Sequence, residues 1–187
     1  MRKCVVSGVA FLAVLSSALP DNASAQAVFI GAGGTFPTGT YGKYADPGWM
    51  VDAGVIFPLN DNGLYIFADG LYGSNGHSDI AGNRNTFLGG FGGVEFSFAE
   101  PGERGPFVFG QVGFLNRDNK SDQFAQYRDS ETGLGFGGGA GYTFPIGGMS
   151  GWVSGRYIQG LYDGDDGNAT FFGVVAGVNL SFGGDGG

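Results

Sequence analysis

Residues 172–182 read F-G-V-V-A-G-V-N-L-S-F, a segment in which the size and polarity of the side chain alternate along the chain. Large or apolar residues occupy every second position from Phe172 to Phe182, and the positions between them are mostly small or polar. Because successive side chains of a strand lie on opposite faces, one face of this strand is apolar and the other is not. At about 3.3 Å per residue and a tilt of about 45°, a strand of this length crosses a hydrocarbon layer of roughly 25–30 Å.

The N-terminal residues 1–25 are predicted to be a secretion signal. Arg2 and Lys3 precede an apolar segment, and Ala23-Ser24-Ala25 supplies the small-x-small pattern at which signal peptidase cleaves. The alternative is a transmembrane anchor, but the apolar segment is short and is interrupted by serine and glycine. Cleavage removes Cys4, the one cysteine, so disulfides are excluded. The expected organisation is a signal peptide over 1–25, a barrel domain over 26–182 and a glycine-rich tail over 183–187.

The composition of the remaining chain, residues 26–187, is acidic. Of nine Lys and Arg, two lie in the signal and seven remain, and of 17 Asp and Glu, sixteen remain. This balance argues against nucleic acid as a partner. The 40 glycines alternate with Phe, Val and Tyr instead of clustering, which is not typical of a low-complexity chain. No segment after the signal has 18 consecutive apolar residues, so a helical membrane protein is excluded.

Eight segments share this alternation, and their connections differ in length in a regular order. The connections after the first, third, fifth and seventh segments are long and polar, and those after the second, fourth and sixth are tight turns. An up-and-down barrel inserted from the periplasm has this asymmetry, and an even strand number places both termini on the periplasmic side. The predicted fold is all-β, an eight-stranded antiparallel up-and-down transmembrane β-barrel. The predicted strands are 27–36, 48–58, 64–73, 85–98, 106–116, 132–144, 150–161 and 169–182.

Aromatic residues gather near the ends of the apolar faces and predict two girdles at the membrane interfaces. The residues predicted on the periplasmic side are Phe57, Phe98, Phe144 and Phe182, and those on the outer side are Trp49, Tyr72, Phe114 and Phe172. A soluble barrel with an apolar interior, as in lipocalins, is the alternative at this point.

Charges within the predicted strands fall on the opposite face. These residues are Asp52, Asp69, Glu95 and Arg156. A charge facing lipid at mid-membrane costs roughly 2–4 kcal/mol, so their shared parity predicts a structural charge cluster in the lumen. We expect Arg156 to pair with one or more of the acids, because an unpaired buried charge is costly. Glycine occupies much of the same face, which relieves crowding in a barrel just wide enough for side chains, so no wide pore is expected.

With these patterns, the chain resembles the small eight-stranded outer-membrane barrels, the OmpA/OmpX-like or porin-like family. The resemblance covers the whole chain after the signal. It implies an integral protein of the bacterial outer membrane with periplasmic termini, in contact with outer-membrane lipid and lipopolysaccharide and recognised by the barrel assembly machinery. No cofactor is implied, and we expect a monomer. Members of this family serve as structural anchors, adhesins and surface-defence proteins, and occasionally as lipid-modifying enzymes.

Two loop segments were considered as sites of chemistry. His77, the one histidine, is followed by Ser78 and Asp79, but neighbours on an extended chain point apart and cannot form a relay. We expect no catalytic residue and expect His77 to point into solvent. The acidic segment 163–168 lacks the glutamate that an EF-hand needs, so no metal site is predicted, and a weak cation site there stays open. The expected role is non-catalytic: structural, envelope-integrity or surface-binding. The alternatives are a lipid A-modifying enzyme or a small porin or channel.

Overall fold

The computed structural model describes residues 27–77, 83–99, 103–120, 128–162 and 168–181. The predicted signal peptide, Phe182 and the glycine-rich tail lie outside these residues. The strands are β1 (Ala27–Pro37), β2 (Ala45–Pro58), β3 (Leu64–His77), β4 (Arg84–Ser97), β5 (Gly105–Lys120), β6 (Arg128–Ile146), β7 (Met149–Leu161) and β8 (Ala169–Ser181). A single 3-10 turn, Tyr41–Lys43, lies between β1 and β2.

Each strand pairs with the next in antiparallel fashion, and β8 pairs with β1 to close the barrel. Ala27 lies opposite Ser181, so β1 begins and β8 ends at the same end of the barrel, where the connections 59–63, 98–104 and 147–148 lie. We call this the turn end, and the opposite end the loop end. The predicted eight-stranded antiparallel up-and-down barrel is confirmed. Among the described residues, no helix is long and apolar enough to cross a membrane.

The tight turns use glycine where the backbone needs a positive φ. Gly63, before β3, has φ +83°, and Gly147, between β6 and β7, has φ +59°. In the first of these turns, Asn60 Oδ1 accepts hydrogen bonds from the backbone N–H of Asn62 at 2.9 Å and of Leu64 at 3.3 Å. Glycine adopts this conformation without the steric cost that a Cβ atom brings.

Several strands continue further at the loop end than the sequence predicts. The sequence predicts connections at 74–84 and 117–131, but strand pairing runs to His77 on β3, to Lys120 on β5 and from Arg128 on β6. The amide of Asn116 supports the extension, because its Nδ2 donates to Thr132 Oγ1 at 2.8 Å and to Ser130 Oγ at 3.1 Å. Apolar alternation stops where lipid contact stops, whereas backbone pairing continues wherever polar side chains can be solvated, so hydropathy underestimates these strands.

The outward face of the barrel is apolar around its circumference. Large apolar residues are exposed on every strand, among them Ile30, Val51, Ile66, Leu88, Val112, Leu134, Val153 and Val174. A soluble barrel needs a polar exterior, so the lipocalin-like alternative does not fit this surface. An exterior of this kind is suited to hydrocarbon as its solvent.

On the inward face, aromatic rings pack against glycines of other strands. A Cβ atom at Gly135 on β6 would lie 2.7 Å from Cε1 of the Phe91 ring, and one at Gly177 on β8 would lie 2.6 Å from the Trp152 ring. Phe29 meets Trp152 edge-on with ring centroids 6.2 Å apart. The inward glycines therefore provide the space that the lumen aromatics occupy.

Replacing an inward glycine should destabilise the barrel more than replacing an outward one. We expect Gly135→Ala to lower the free energy of unfolding by about 1–3 kcal/mol, because the added methyl group must displace Phe91. Gly110→Ala is the matched control, since a Cβ atom at Gly110 on β5 meets nothing within 4 Å. The measurement is urea unfolding of the protein folded in phospholipid vesicles, followed by tryptophan fluorescence. Equal losses in the two variants would contradict the packing role of Gly135.

Candidate functional site

The lumen contains an ion cluster formed by three strands. Arg156 on β7 places Nη2 2.6 Å from Oδ2 of Asp52 on β2 and Nη1 3.6 Å from Oδ2 of Asp69 on β3. The three side chains are almost completely buried, with 6%, 0% and 2% of their surface exposed. One guanidinium therefore lies between two carboxylates in the interior of the barrel.

Small residues on the two strands between β7 and β2 leave room for this cluster. Arg156 lies opposite Gly173 on β8, where a Cβ atom would come within 3.3 Å of Arg156 Cγ. Gly31 on β1 lies opposite Asp52, and a Cβ atom there would lie 2.6 Å from Asp52 Oδ1. The guanidinium also lies over the ring of Phe109, 5.6 Å from its centroid, which adds a cation–π contact.

Glu95, the fourth predicted lumen charge, does not join the cluster. It lies on β4 opposite Tyr65 on one side and Phe109 on the other. Within the described part of the chain, the ion pairs of Arg156 are with Asp52 and Asp69 only. The structure therefore brings three of the four predicted charges together and leaves Glu95 separate on the lumen wall.

A cavity of about 60 Å³ separates Glu95 from the cluster. Its polar lining includes Asp69, Glu95, Gln111, Ser154, Arg156 and Asn179. The amide of Gln111 and the hydroxyl of Ser154 are buried and have no hydrogen-bond partner among the described residues. The cavity is large enough for a few water molecules, the usual partners of such buried polar groups.

The loop-end half of the lumen is filled by apolar side chains. Phe87 and Phe171 stack with ring centroids 5.1 Å apart, and neither is exposed. The other buried members of this apolar plug are Met50, Leu71, Phe91, Leu115, Ile158 and Val175. This plug was not predicted, because only polar residues and glycines were expected on the inward face. Strand alternation could have revealed the plug, since Met50 is two positions from Asp52 and therefore lies on the same face.

A second polar cluster covers the plug at the loop end. Arg117 Nη2 lies 3.1 Å from Glu131 Oε2, and the Arg117 guanidinium lies 4.8 Å from the centroid of the Tyr162 ring. Tyr41 OH accepts a hydrogen bond from Asn85 Nδ2 at 3.3 Å. Burial raises the pKa of Tyr41 to about 12 and also raises the pKa of Tyr162, so both phenols stay neutral at physiological pH.

His77 lies at the end of β3 and is not a free loop residue. Its backbone N–H donates to the carbonyl of Asn83 at 3.1 Å, and its Nδ1 atom is buried without a hydrogen-bond partner among the described residues. The side chain is half-buried, so the expectation that the imidazole points into solvent stays a prediction. Ser78, Asp79 and the acidic segment 163–167 lie outside the described residues. No group of three or more His, Cys, Asp and Glu side chains in the described ranges is placed to hold a metal ion.

The predicted interface aromatics differ in exposure. Those that are exposed are Trp49, Tyr72, Phe98, Phe114 and Phe172, and those that are half-buried are Phe57 and Phe144. Trp49 and Tyr72 meet edge-on with centroids 5.6 Å apart, which places an aromatic pair on the outward face of β2 and β3. Phe98 packs edge-on against Phe96 at 4.9 Å. Phe182 lies outside the described residues.

Comparison with known proteins identifies the fold. No family model matches the chain, and no curated protein matches its sequence. Neisserial surface protein A superimposes with a TM-score of 0.67 at 14% identity, over 84% of this chain and 97% of that chain. Ail, the attachment invasion locus protein of Yersinia pestis, gives 0.54 at 14% identity over 84% and 99%. Its backbone structure in a phospholipid bilayer nanodisc gives 0.50 at 17% identity over 82% and 99%. The fold is that of small eight-stranded outer-membrane barrels, as the sequence resemblance predicts.

Removing the buried arginine should destabilise the barrel strongly. We expect Arg156→Ala to lower the free energy of unfolding by about 3–5 kcal/mol, because Asp52 and Asp69 then lose their buried counter-charge. Arg104→Ala is the control, since Arg104 is exposed in the β4–β5 turn and its loss should cost less than about 0.5 kcal/mol. Chemical unfolding in phospholipid vesicles measures both. A loss no larger for Arg156 than for Arg104 would show that the cluster contributes nothing to stability.

Proposed function

We propose that the chain is an integral β-barrel protein of the bacterial outer membrane that is closed to diffusion and acts without catalysis. In this proposal it has a structural, envelope-integrity or surface-binding role. The observation that carries the proposal is the inversion of the barrel: apolar residues cover its outward face, while the ion cluster and the apolar plug fill its interior. A transmembrane barrel has this distribution, because lipid is its outer solvent.

The proposed orientation of the barrel in the membrane is based on the difference between its two ends. Both ends of the described barrel, Ala27 and Ser181, lie at the turn end, which faces the periplasm in this proposal. The ends of β3, β5 and β6 that continue beyond the predicted strands then face the cell exterior, where a surface protein meets its partners. Closure through β1 and β8 leaves no sheet edge, which supports a monomer. Insertion would use the barrel assembly machinery of the outer membrane.

Two alternatives are a small channel and a lipid A-modifying enzyme. The channel is disfavoured by the plug, because Phe87, Phe171 and Ile158 have no exposed surface. The enzyme is disfavoured because the Nδ1 atom of His77, at the end of β3, has no polar partner among the described residues. Outer-membrane lipid and lipopolysaccharide are therefore proposed as surroundings and binding partners, not as substrates.

Purified folded protein should produce no large, stable conductance in planar lipid bilayers, because the apolar plug blocks the lumen. The control for folding is the detergent gel, on which an unboiled sample should migrate differently from a boiled one, as closed barrels resist the detergent. Long-lived open channels from heat-modifiable protein would refute the closed lumen. Protein that is recovered in the soluble periplasm with no gel shift would refute membrane insertion.

Lipid A from cells with and without the protein should have the same acylation pattern. Mass spectrometry of extracted lipid A measures this directly. His77→Ala is the matched variant, because His77 is the one histidine of the chain. A pattern that changes with expression of the protein, and reverts in the His77→Ala variant, would establish the enzyme alternative.

A further inference from the structure

The cavity between Glu95 and the ion cluster is open toward the turn end and closed toward the loop end. Half-buried residues of its lining lie two or three positions from the strand ends at the turn end, namely Ile56, Glu95, Thr143 and Asn179. Beyond the ion cluster, the next inward residues on β2, β3 and β7 belong to the apolar plug, and these are Met50, Leu71 and Ile158. Water and ions therefore reach this space, which we call the turn-end cavity, from one end of the barrel.

Oxygen atoms without a partner line the turn-end cavity. The Oδ1 atom of Asp69, the Oε1 atom of Gln111 and the Oγ atom of Ser154 are buried and form no hydrogen bond with any described residue. The three residues are only 7%, 7% and 3% exposed, so bulk water does not cover them. The carboxyl group of Glu95 belongs to the same lining. Buried polar groups nearly always have a partner, so we expect an occupant of the cavity to supply it.

The lumen around this cavity has more carboxyl groups than positive charges. Arg156 is shared by Asp52 and Asp69, and Glu95 forms no ion pair with any described residue. A carboxylate in so narrow a lumen is costly unless a positive charge lies beside it. Water would satisfy the amide of Gln111 and the hydroxyl of Ser154, but it supplies no charge. A cation satisfies the unpartnered oxygens and compensates the carboxylate at the same time.

The chemistry of these oxygens favours a monovalent alkali cation. Carboxylate, amide and hydroxyl oxygens are the ligands that hard cations prefer. A calcium site usually draws on several carboxylates, whereas no three acidic, histidine or cysteine side chains of the described ranges are grouped to hold a metal. A cavity of about 60 Å³ has room for one alkali ion together with water that completes its coordination.

We propose that the turn-end cavity binds one sodium or potassium ion between Glu95, Gln111 and Ser154. The ion compensates the Glu95 carboxylate and coordinates the oxygens of the other two side chains. These three residues lie on β4, β5 and β7, so the bound ion links strands that the Arg156 cluster does not connect through β2 and β3. Binding therefore stabilises the folded barrel, whatever role its loop end has at the cell surface.

The test is urea unfolding of the protein, without its predicted signal, in zwitterionic phosphatidylcholine vesicles. Sodium chloride or potassium chloride replaces N-methylglucamine chloride at fixed ionic strength, because N-methylglucamine is too large for the cavity. A ligand that binds only the folded state stabilises it by mass action, so each tenfold rise in the preferred ion should raise the folding constant by up to about tenfold. The Glu95→Gln variant keeps the size of the side chain without its charge and should lose this response. The matched control is Glu103→Gln, at an exposed position between β4 and β5, which should respond as the wild type does.

The possible results decide this proposal separately from the proposed function. Wild-type stability that changes with neither ion would mean that a proton neutralises Glu95, and it overturns the cation site. A response that persists in Glu95→Gln would assign the ion to another place, such as the lipid surface, and also overturns it. If Glu95→Gln does not fold, Ser154→Ala replaces it, and a response as large as that of the wild type overturns the site whereas a weakened one supports it. A barrel that inserts normally and shows no cation response leaves the proposed function unchanged.

Discussion

Pairing of β1 with β8 is the constraint on which the rest of this structure depends. A sheet with an apolar outward face cannot leave backbone N–H and C=O groups unpaired in lipid, so closure is required for insertion. Closing eight strands leaves an interior only as wide as a few side chains. That narrow diameter explains why glycine is frequent on the inward face. It also explains why a few large side chains are enough to fill the lumen and block the channel.

Two different solutions fill the narrow lumen along its length. At the loop end, stacked Phe87 and Phe171 and their apolar neighbours form a dry plug. Nearer the turn end, Arg156 connects β7 with β2 and β3 through two carboxylates, beside a small polar cavity. The ion cluster ties distant strands together across the barrel, and it depends on Gly31 and Gly173 to leave it space. Apolar side chains alone would block the lumen equally well. We therefore expect the ion cluster to act mainly by linking β7 to β2 and β3.

The polarity of the outward face also changes along the barrel axis. Lipid contact requires apolar residues at mid-height, whereas the extended ends of β4, β5 and β6 rise beyond the apolar band and become polar. The registers of β4, β5 and β6 keep these polar strand ends paired beyond the apolar band.

The sequence by itself determined the strand number, the antiparallel order and the shared face of the four charges within the predicted strands, because the direction of a side chain is a local property of extended backbone. The alternation put Asp52, Asp69, Glu95 and Arg156 on one face. It did not predict which of the acids pair with Arg156. Which acids meet Arg156 depends on the stagger accumulated over several strands. Phe87 and Phe171 were not predicted, because an apolar ring suits lipid and a dry lumen equally. Only the closed barrel decides between these environments, since its curvature brings inward rings from separate strands into contact.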